Sequence, residues 1–249
     1  ISLMVGRSID RFYPARAKAP GAPILDVRGI SQPGVVRDIG FSLRSGEVLG
    51  IYGLMGSGRT EIARILFGLD RAAEGEVALA EVPVTRASPE ERIRNGLAYL
   101  TEDRREEGLL MEAGLEENLA LASLGSIAET ALGVISPARI RALAAGVAGA
   151  LRIRGVALAR EPVRVLSGGN QQKVVLGKWI LTRPRVFILD EPTRGIDVGA
   201  KHEVYGIINR MAEEGAGIIF ISSEIEELIG MSDRILVLCR GEIRGCIGR

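Results

Sequence analysis

The chain has 249 residues, of which 47% are hydrophobic and 25% charged, and its 32 Lys and Arg against 31 Asp and Glu leave a formal net charge of +1. This length and apolar content suffice for one large domain, or for one domain with a smaller lobe, around a substantial core. Because no basic excess is available to neutralise phosphates, the balanced charge argues against a nucleic-acid-binding protein. Two cysteines cannot form a disulfide framework, and no apolar run approaches the roughly 20 residues of a membrane-spanning helix, so the sequence favours a reducing, aqueous compartment.

The first hundred residues predict the start of an α/β domain. Residues 1–23 are rich in Pro, Arg and Ala and offer little to a core, so they are predicted to be a leader, and a chain that starts with Ile is expected to be a fragment. Short apolar runs predict strands over 24–28 and 48–52. A glycine-rich turn over 53–58 follows, and apolar residues on one face predict a helix over 60–67. This order of elements is typical of a phosphate-binding unit.

The middle of the chain predicts a helical lobe inserted into the α/β core. A strand is expected over 97–100, and residues from about 110 to 160 are rich in Ala and Leu. Ser136 and Pro137 are a typical helix start. The amphipathic stripe after them is expected to form the core of the lobe: Ile140, Leu143, Val147 and Leu151. Later β-branched runs predict buried parallel strands over 186–189, 218–222 and 235–238.

The glycine-rich turn reads Gly53-Leu-Met-Gly-Ser-Gly-Arg-Thr60, which fits the P-loop pattern G-x-x-x-x-G-K-[ST] at every fixed position except that of the lysine. Glycines let backbone N–H groups curl around phosphate oxygens, and the helix that follows contributes its positive N-terminus. Arg59 replaces a compact ammonium by a planar guanidinium, so we expect phosphate binding to survive while the transition-state geometry suffers. The turn therefore predicts nucleotide-binding residues: Gly53, Gly56, Ser57, Gly58, Arg59 and Thr60, the last with its hydroxyl on Mg²⁺.

A second motif is the apolar strand that ends in Asp190 and Glu191. Two carboxylates at the end of a buried strand are costly unless they face a metal or a polarised water. Asp190 fits the side of the site that holds Mg²⁺, and Glu191 fits the general base that activates water for attack on the γ-phosphate. The alternative, a strand that ends in a solvated acidic pair, is less compatible with a P-loop upstream.

A third motif reads Leu166-Ser-Gly-Gly-Asn-Gln171-Gln-Lys. Its Ser167, Gly168 and Gly169 are predicted to open a helix, whose N-terminus can bind an anion. Taken alone, the segment is better explained by an ordinary glycine turn with an N-cap.

Together, the order of these motifs resembles the ATP-binding domain of an ABC transporter from about Ile24 onward: P-loop, Leu-Ser-Gly-Gly signature, Asp-Glu-Pro-Thr193 and the Gly195-Ile-Asp197 turn. Four segments narrow the resemblance to bacterial monosaccharide importers of the ribose, galactose or xylose type: residues 101–109, 170–173, 193–201 and 222–234. The ATPase subunit of those importers contains two such domains, and the Arg-for-Lys P-loop resembles the second, C-terminal one. The resemblance implies a P-loop NTPase fold of the α/β class over 24–249, in which helices flank a mostly parallel sheet with an antiparallel β part. Residues 1–23 then resemble the linker between the two domains.

The resemblance also implies roles for individual residues. Glu102 stands where the family has a Gln that senses the γ-phosphate and contacts the membrane subunit, and it is expected to join Thr60 and Asp190 at the Mg²⁺. Ser223 stands where a His orients the attacking water, and no aromatic follows the first strand where adenine usually stacks. Active sites in this family form between the P-loop of one domain and the signature of another. The residues expected to serve a partner's nucleotide are Ser167, Gly168, Gly169, Gln171 and Asp197.

The resulting expectation is an ATP- and Mg²⁺-binding domain that couples ATP binding and hydrolysis to sugar uptake, peripheral on the cytoplasmic face of the cell membrane. Its expected partners are a second nucleotide-binding domain, membrane permease subunits and, indirectly, a sugar-binding protein. Two alternatives remain: a regulatory half without turnover of its own, and nucleoside import. The charged run over 101–107 fits either a solvated loop or a contact with the membrane subunit. Related ATPases that act on DNA or the ribosome need coiled-coil insertions or basic extensions, which this sequence lacks.

Overall fold

The computed structural model describes Tyr13 and residues 19–127, 136–154 and 161–248. A four-stranded antiparallel sheet begins the fold, with the strand order β2-β1-β4-β5. Apolar side chains alternate along these strands and point to one buried face, as in an antiparallel sheet that has one solvated side. The strands are β1 (Pro23–Gln32), β2 (Val36–Arg44), β4 (Glu74–Leu79) and β5 (Val82–Pro83).

A six-stranded sheet has the order β10-β9-β3-β8-β7-β6, in which all neighbours pair in parallel except β9 and β10. Its central strands are continuous β-branched and aromatic runs that are buried along their full length, as strands covered on both faces must be. The predicted strands of the parallel sheet are therefore present. The strands are β3 (Val48–Gly53), β6 (Leu97–Leu100), β7 (Val186–Asp190), β8 (Gly217–Ile221), β9 (Arg234–Cys239) and β10 (Glu242–Gly248).

Helices pack against the parallel sheet. Helix α1 (Arg59–Phe67) contacts β3, β6 and β7, and helix α2 (Pro89–Arg94) contacts β6. Their apolar faces supply part of the core, which includes Ile62 and Leu66. Helix α2 starts with a capping box between Ser88 and Glu91. The predicted mixed α/β core with flanking helices is confirmed.

The chain divides into two compact units. The first contains the described residues up to Glu102 together with Pro184–Pro192 and Tyr205 onward, and so includes both sheets. The second contains the described residues of 103–183 and 193–204, which is a longer stretch than the predicted lobe over 110–160. Of that predicted lobe, residues 128–135 and 155–160 lie outside the described part of the chain.

The second unit is helical. It begins with a turn of π-helix at Arg104–Gly108, and its helices are α3 (Leu115–Ala120), α4 (Leu124–Ile127), α5 (Pro137–Ala150) and α6 (Gly168–Ile180). Short 3-10 turns lie at Leu121–Ser123 and Val163–Val165. Helices α3, α5 and α6 pack against one another. Helix α7 (Val198–Glu213) starts in this unit, and helix α8 (Ile225–Met231) lies in the first unit.

Helix α5 starts where the sequence predicted, with the Ser136 hydroxyl accepting a hydrogen bond from the Arg139 N–H. Its most buried residues are Ala144 and Ala148, which lie beside the predicted stripe on the same side of the helix. Of the stripe itself, Leu151 is buried and the other three residues are half-buried. Small side chains bring this helix close to its neighbours, so size as well as periodicity decides which of its residues are most buried.

Two further observations concern the edges of the domain. Of the predicted leader, Tyr13 and residues 19–23 are described, and Pro23 already belongs to β1. Within the described ranges, no helix combines the length and the apolar character needed to cross a lipid bilayer.

Candidate functional site

The turn between β3 and α1 has a backbone that requires glycine, as Gly58 and Gly53 illustrate. Gly58 has φ 103° and begins α1 without a side-chain cap, so the N–H groups of the first helical turn keep their capacity to bind an anion. A Cβ atom at Gly53 would lie 2.7 Å from the Leu238 carbonyl oxygen and 2.3 Å from the Ser57 Oγ. The Ser57 N–H donates to the Leu54 carbonyl at 3.0 Å, which closes the turn. This is the geometry of a phosphate cradle.

A cavity of about 700 Å³ borders this turn at Gly56. Its other walls are Ser31–Arg37, between β1 and β2, with Ala73, Glu74 and Arg240. None of the described residues that line it is aromatic, in agreement with the missing stacking residue in the sequence. The volume suffices for a nucleoside, since small-molecule pockets begin at roughly 300 Å³.

The carboxylate of Glu191 is engaged on both of its oxygens. Arg59 Nη1 donates to Oε1 at 3.2 Å, and Ser223 Oγ donates to Oε2 at 3.3 Å. The side chains of Arg59 and Glu191 are only 13% and 9% exposed, so water screens this ion pair weakly. Burial raises the pKa of Glu191, while Arg59 and the hydrogen bonds from Ser223 act in the opposite direction. Glu191 also has φ 50°, which is unusual for a residue with a side chain.

Asp190 is the other acidic group at the end of β7, and it is 1% exposed. The Thr60 side chain lies near enough to lower its pKa, and the Tyr99 hydroxyl donates to its Oδ2 at 3.4 Å. Burial and, to a smaller extent, the nearby Glu191 raise the pKa of Asp190 to about 6, although Thr60, Arg59 and Tyr99 act in the opposite direction. Its Oδ1 atom is buried with no hydrogen-bond partner among the described residues. An oxygen in this state has an unused lone pair that a hard cation can occupy.

Glu102 follows β6 directly and is exposed. Within the described part of the chain, no three His, Cys, Asp or Glu side chains are grouped so that they could hold a metal ion. The metal-binding roles of Glu102, Thr60 and Asp190 stay predictions, and of the three the Thr60 and Asp190 side chains lie next to each other.

The second unit contains the signature segment. Ser167 caps helix α6 by accepting a hydrogen bond from the Asn170 N–H at 3.4 Å. A Cβ atom at Gly169 would lie 2.6 Å from the Ala200 Cβ, so a glycine is needed where the first turn of α6 meets the first turn of α7. Asp197 Oδ1 accepts from the Ala200 N–H at 3.0 Å and caps α7. The N-termini of the two helices are therefore neighbours.

Arg104 ties three of the predicted segments together inside the second unit. It donates to the carbonyl oxygens of Arg194 at 2.9 Å and Gly195 at 3.5 Å, and its Nε lies 3.5 Å from Gln171 Oε1. A Cβ atom at Gly168 would lie 2.9 Å from the Arg104 Nη2. Gln171 is buried and also donates to the Val163 carbonyl at 3.4 Å, so it acts within the unit.

Comparison with known proteins identifies the family. The model of the ABC transporter family matches residues 36–194, which is more than half of the chain. The chain belongs to the ABC transporter family. The P-loop, signature and Asp-Glu segments described above all lie within the matched residues.

Curated ABC relatives carry related names. The chain is 48% identical over 245 residues to a ribose import ATP-binding protein of Rubrobacter xylanophilus, with 98% of this chain and 49% of the relative covered. It is 45% identical over 245 residues to a ribose import ATP-binding protein of Corynebacterium glutamicum, with 98% and 46% covered. The chain thus spans about half the length of the curated relatives it matches.

Solved ABC structures share the fold. A nucleotide-free ATP-binding cassette of an ABC transporter matches with a TM-score of 0.79 at 20% identity, over 92% of both chains. A dimeric cassette in a post-hydrolysis state bound to ADP and Pi matches with a TM-score of 0.77 at 20% identity, over 90% of this chain and 98% of that one. These likenesses confirm the predicted P-loop NTPase fold.

Two residues that form several contacts in the structure, Arg104 and Glu227, could not be identified from the sequence. Arg104 was only part of a charged run, and nothing in that run distinguishes the one side chain that folds back onto its own unit. Glu227 belongs to the acidic segment after Ser223 but is 1% exposed. Its position in the first turn of a short helix, next to apolar Leu228, is the only sequence feature that indicates burial.

Proposed function

We propose that this chain is the nucleotide-binding domain of an ABC importer ATPase, that it binds Mg·ATP at the turn between β3 and α1, and that its own site turns over slowly. The observation that carries the nucleotide site is the buried Asp190, with one unpartnered oxygen, beside the Thr60 hydroxyl at the start of the P-loop helix. The uncapped N-terminus of α1 and the cavity beside Gly56 support phosphates and nucleoside at the same place.

The donor set fits Mg²⁺. A hydroxyl and a carboxylate oxygen are the hard ligands that this ion prefers, and the phosphates of a nucleotide supply further oxygens. Thr60 and Asp190 would hold it, with Glu102 as a third candidate. When bound, Mg²⁺ would neutralise charge on the transferring phosphoryl group.

Glu191 is the proposed general base, and its surroundings explain slow turnover. A base must accept a proton from water, yet one of its carboxylate oxygens is paired with Arg59. The Ser223 hydroxyl donates to the other oxygen and orients the carboxylate. The guanidinium competes for the lone pairs that the water would use. Arriving phosphates attract the same guanidinium, so nucleotide binding and release of Glu191 from its ion pair are expected to be linked.

The signature segment is proposed to serve the nucleotide of a partner domain. Ser167 presents a capped helix N-terminus, and Gly168 and Gly169 let Arg104 and Ala200 approach closely. Gln171 and Asp197 belong to the same arrangement through their hydrogen bonds. The segment keeps the Leu-Ser-Gly-Gly wording of the signature, which supports a functional signature beside an altered P-loop.

The proposed cargo is a simple sugar, because relatives at 48% and 45% identity are named as ribose import proteins. The proposed partners are a second nucleotide-binding domain, membrane permease subunits and, indirectly, a sugar-binding protein, which would place the domain at the cytoplasmic face of the membrane. Residues 1–23 are proposed to link it to the preceding domain of the same polypeptide. Nucleoside import is the alternative cargo, and uptake of labelled ribose and nucleosides by the complete transporter distinguishes the two.

The test of the nucleotide site is Mg·ATP binding and steady-state hydrolysis by this chain and by Glu191→Gln. Binding by both proteins, with hydrolysis lost in the variant, would establish a slow but working site. Binding without hydrolysis in either would support the regulatory alternative, in which turnover belongs to the partner domain. If neither protein bound Mg·ATP, the proposed P-loop function would be wrong.

A further inference from the structure

Glu227 is a buried acidic residue that the proposed mechanism does not use. Its Oε1 accepts a hydrogen bond from the Tyr205 hydroxyl at 2.6 Å, and its Oε2 accepts one from the Ser222 hydroxyl at 2.8 Å. The three side chains are 0–1% exposed and come from α7, the end of β8 and α8. Burying a carboxylate is costly unless such bonds replace its water, so this cluster has a defined geometry.

The cluster fixes the turn that contains Ser223. The Ser222 Oγ that donates to Glu227 also accepts a hydrogen bond from the Glu224 N–H at 3.0 Å. At the other end of the turn, the Ile221 carbonyl accepts from the Glu191 N–H at 3.0 Å. Ser223 lies between these two anchors, and its hydroxyl donates to Glu191 Oε2.

Tyr13 packs against the far side of the cluster. The ring of Tyr13 lies 5.3 Å from that of Tyr205, centroid to centroid, and sits over Gly230, where a Cβ atom would be 2.4 Å from the ring. Burial raises the pKa of Tyr205 far above its usual range, so its hydroxyl stays protonated and donates to Glu227. The contacts run continuously from Tyr13 to Glu191.

We infer that Glu227 is a positioning residue for this ATPase site: by holding Ser222 it sets the turn that presents Ser223 to Glu191. The inference rests on the proposed function, since it assigns Glu227 a role in turnover at Glu191. It acts through its neighbours and does not touch the nucleotide.

The test compares Glu227→Gln with the wild-type chain in two measurements. An amide in place of the carboxylate cannot accept from both hydroxyls, so the exchange of the Glu224 amide hydrogen is expected to accelerate about fivefold. The kcat for ATP hydrolysis is expected to fall about tenfold, because Ser223 and Glu191 lose their relative position. The KM for Mg·ATP is expected to stay within about twofold, because the P-loop is untouched.

Glu226→Gln is the matched control, since Glu226 is the exposed neighbour on the same turn of helix and loses the same charge. It should leave both measurements unchanged. A double-mutant cycle with Ser223→Ala distinguishes a residue that positions Ser223 from one with a merely structural role. If Glu227 acts through Ser223, then Glu227→Gln should lower kcat no further in the Ser223→Ala background.

Unchanged amide exchange in Glu227→Gln, or fully additive effects in the cycle, would overturn the inference. If Glu227→Gln does not fold, Tyr205→Phe and Ser222→Ala each remove one donor and are read in the same way. A wild-type chain without turnover would count against the proposed slow hydrolysis, while the amide exchange would still decide whether Glu227 holds the turn.

Discussion

The P-loop region and the signature region treat their charged side chains differently. At the P-loop, Arg59 and Glu191 form a buried ion pair with each other, although each is expected to act on a nucleotide or a water. In the signature unit, Arg104 donates to the backbone carbonyls of Arg194 and Gly195 and to a neutral side chain. The first arrangement has to change for chemistry to occur, whereas the second is complete as it stands.

This difference shows that a departure from the motif pattern, such as Arg59 at the lysine position of the P-loop, changes which side chains pair with each other. A guanidinium on the P-loop helix is long enough to reach the carboxylate at the end of β7, and a planar donor holds it there. The signature glycines, in contrast, are each in close contact with a neighbour inside their own unit. The largest differences in activity are therefore expected between substitutions that each affect only one of the two regions.

The largest separation is expected between two glycine substitutions. Gly53→Ala places a Cβ atom 2.7 Å from a backbone oxygen under the P-loop, which the loop must move to accommodate. Isothermal titration should show Mg·ATP binding weakened about a hundredfold or more, equal to roughly 3 kcal/mol. Gly169→Ala is equally crowded but lies in the signature unit, and it should leave ATP binding by the isolated chain unchanged. Equal losses in both variants would remove the distinction between the regions.

A smaller effect is expected from Arg59→Lys. The lysine keeps the positive charge for phosphate but is a compact point charge, so it holds Glu191 less firmly. Turnover should rise about tenfold, which corresponds to roughly 1.4 kcal/mol of activation free energy. Arg64→Lys, in the same helix and paired with Asp70 instead, is the control. A fall in kcat on Arg59→Lys would mean that the ion pair does not restrain the base.

The two regions should also differ in their pH dependence. Cation binding at the P-loop should change below neutral pH, and the stability of the signature unit should change above it. Asp190 has a pKa of about 6, and it must lose its proton to bind a cation. Below pH 6 the affinity for Mg²⁺ in the presence of ATP should therefore fall by up to about tenfold for each pH unit, and above pH 7 it should be constant. Titrations of Mg²⁺ at fixed ATP between pH 5 and pH 8 measure this. Asp190→Asn should bind weakly at every pH, and a flat profile in the wild type would contradict the assignment.

In the signature unit the corresponding group is Lys178, which is buried and donates to the Gly108 carbonyl at 2.7 Å. Burial lowers its pKa to about 8, from 10.5 for an ordinary lysine. Between these two values the unfolded chain binds the proton and the folded chain does not, so stability rises with pH. Relative to Lys178→Met, the free energy of unfolding of the wild type should increase by on the order of 2 kcal/mol from pH 7.5 to pH 10. Urea denaturation of both proteins gives the difference, and parallel curves would show that Lys178 is not desolvated.

Much of this architecture could be predicted from the sequence, because strands such as β7 and β8 are continuous apolar runs and the P-loop has its own glycine spacing. The start of the helix at Pro137 could be predicted from its N-cap residue, Ser136. That its most buried residues are Ala144 and Ala148 could not be predicted, since alanines give a weak hydrophobic signal although they allow close packing.

The motif residues of the site were also predictable, but their pairings were not. The sequence places Arg59 and Glu191 some 130 residues apart, and only the strand order brings them together. Glu227 and Arg104 were hidden for the same reason, because a charged side chain that folds inward looks the same in a sequence as one that points to water. Their roles depend on distances, and distances follow from the complete fold.

The left-handed backbone of Glu191 has a consequence for the evolution of this domain. A side chain at φ 50° costs on the order of 1 kcal/mol that a glycine would not incur. A glycine would adopt this backbone more easily, and the fold carries the local strain to keep the proposed base in place. In Glu191→Gly the relief of that strain should be outweighed by the loss of the buried ion pair with Arg59, so the variant should lose hydrolysis and also unfold at a lower temperature.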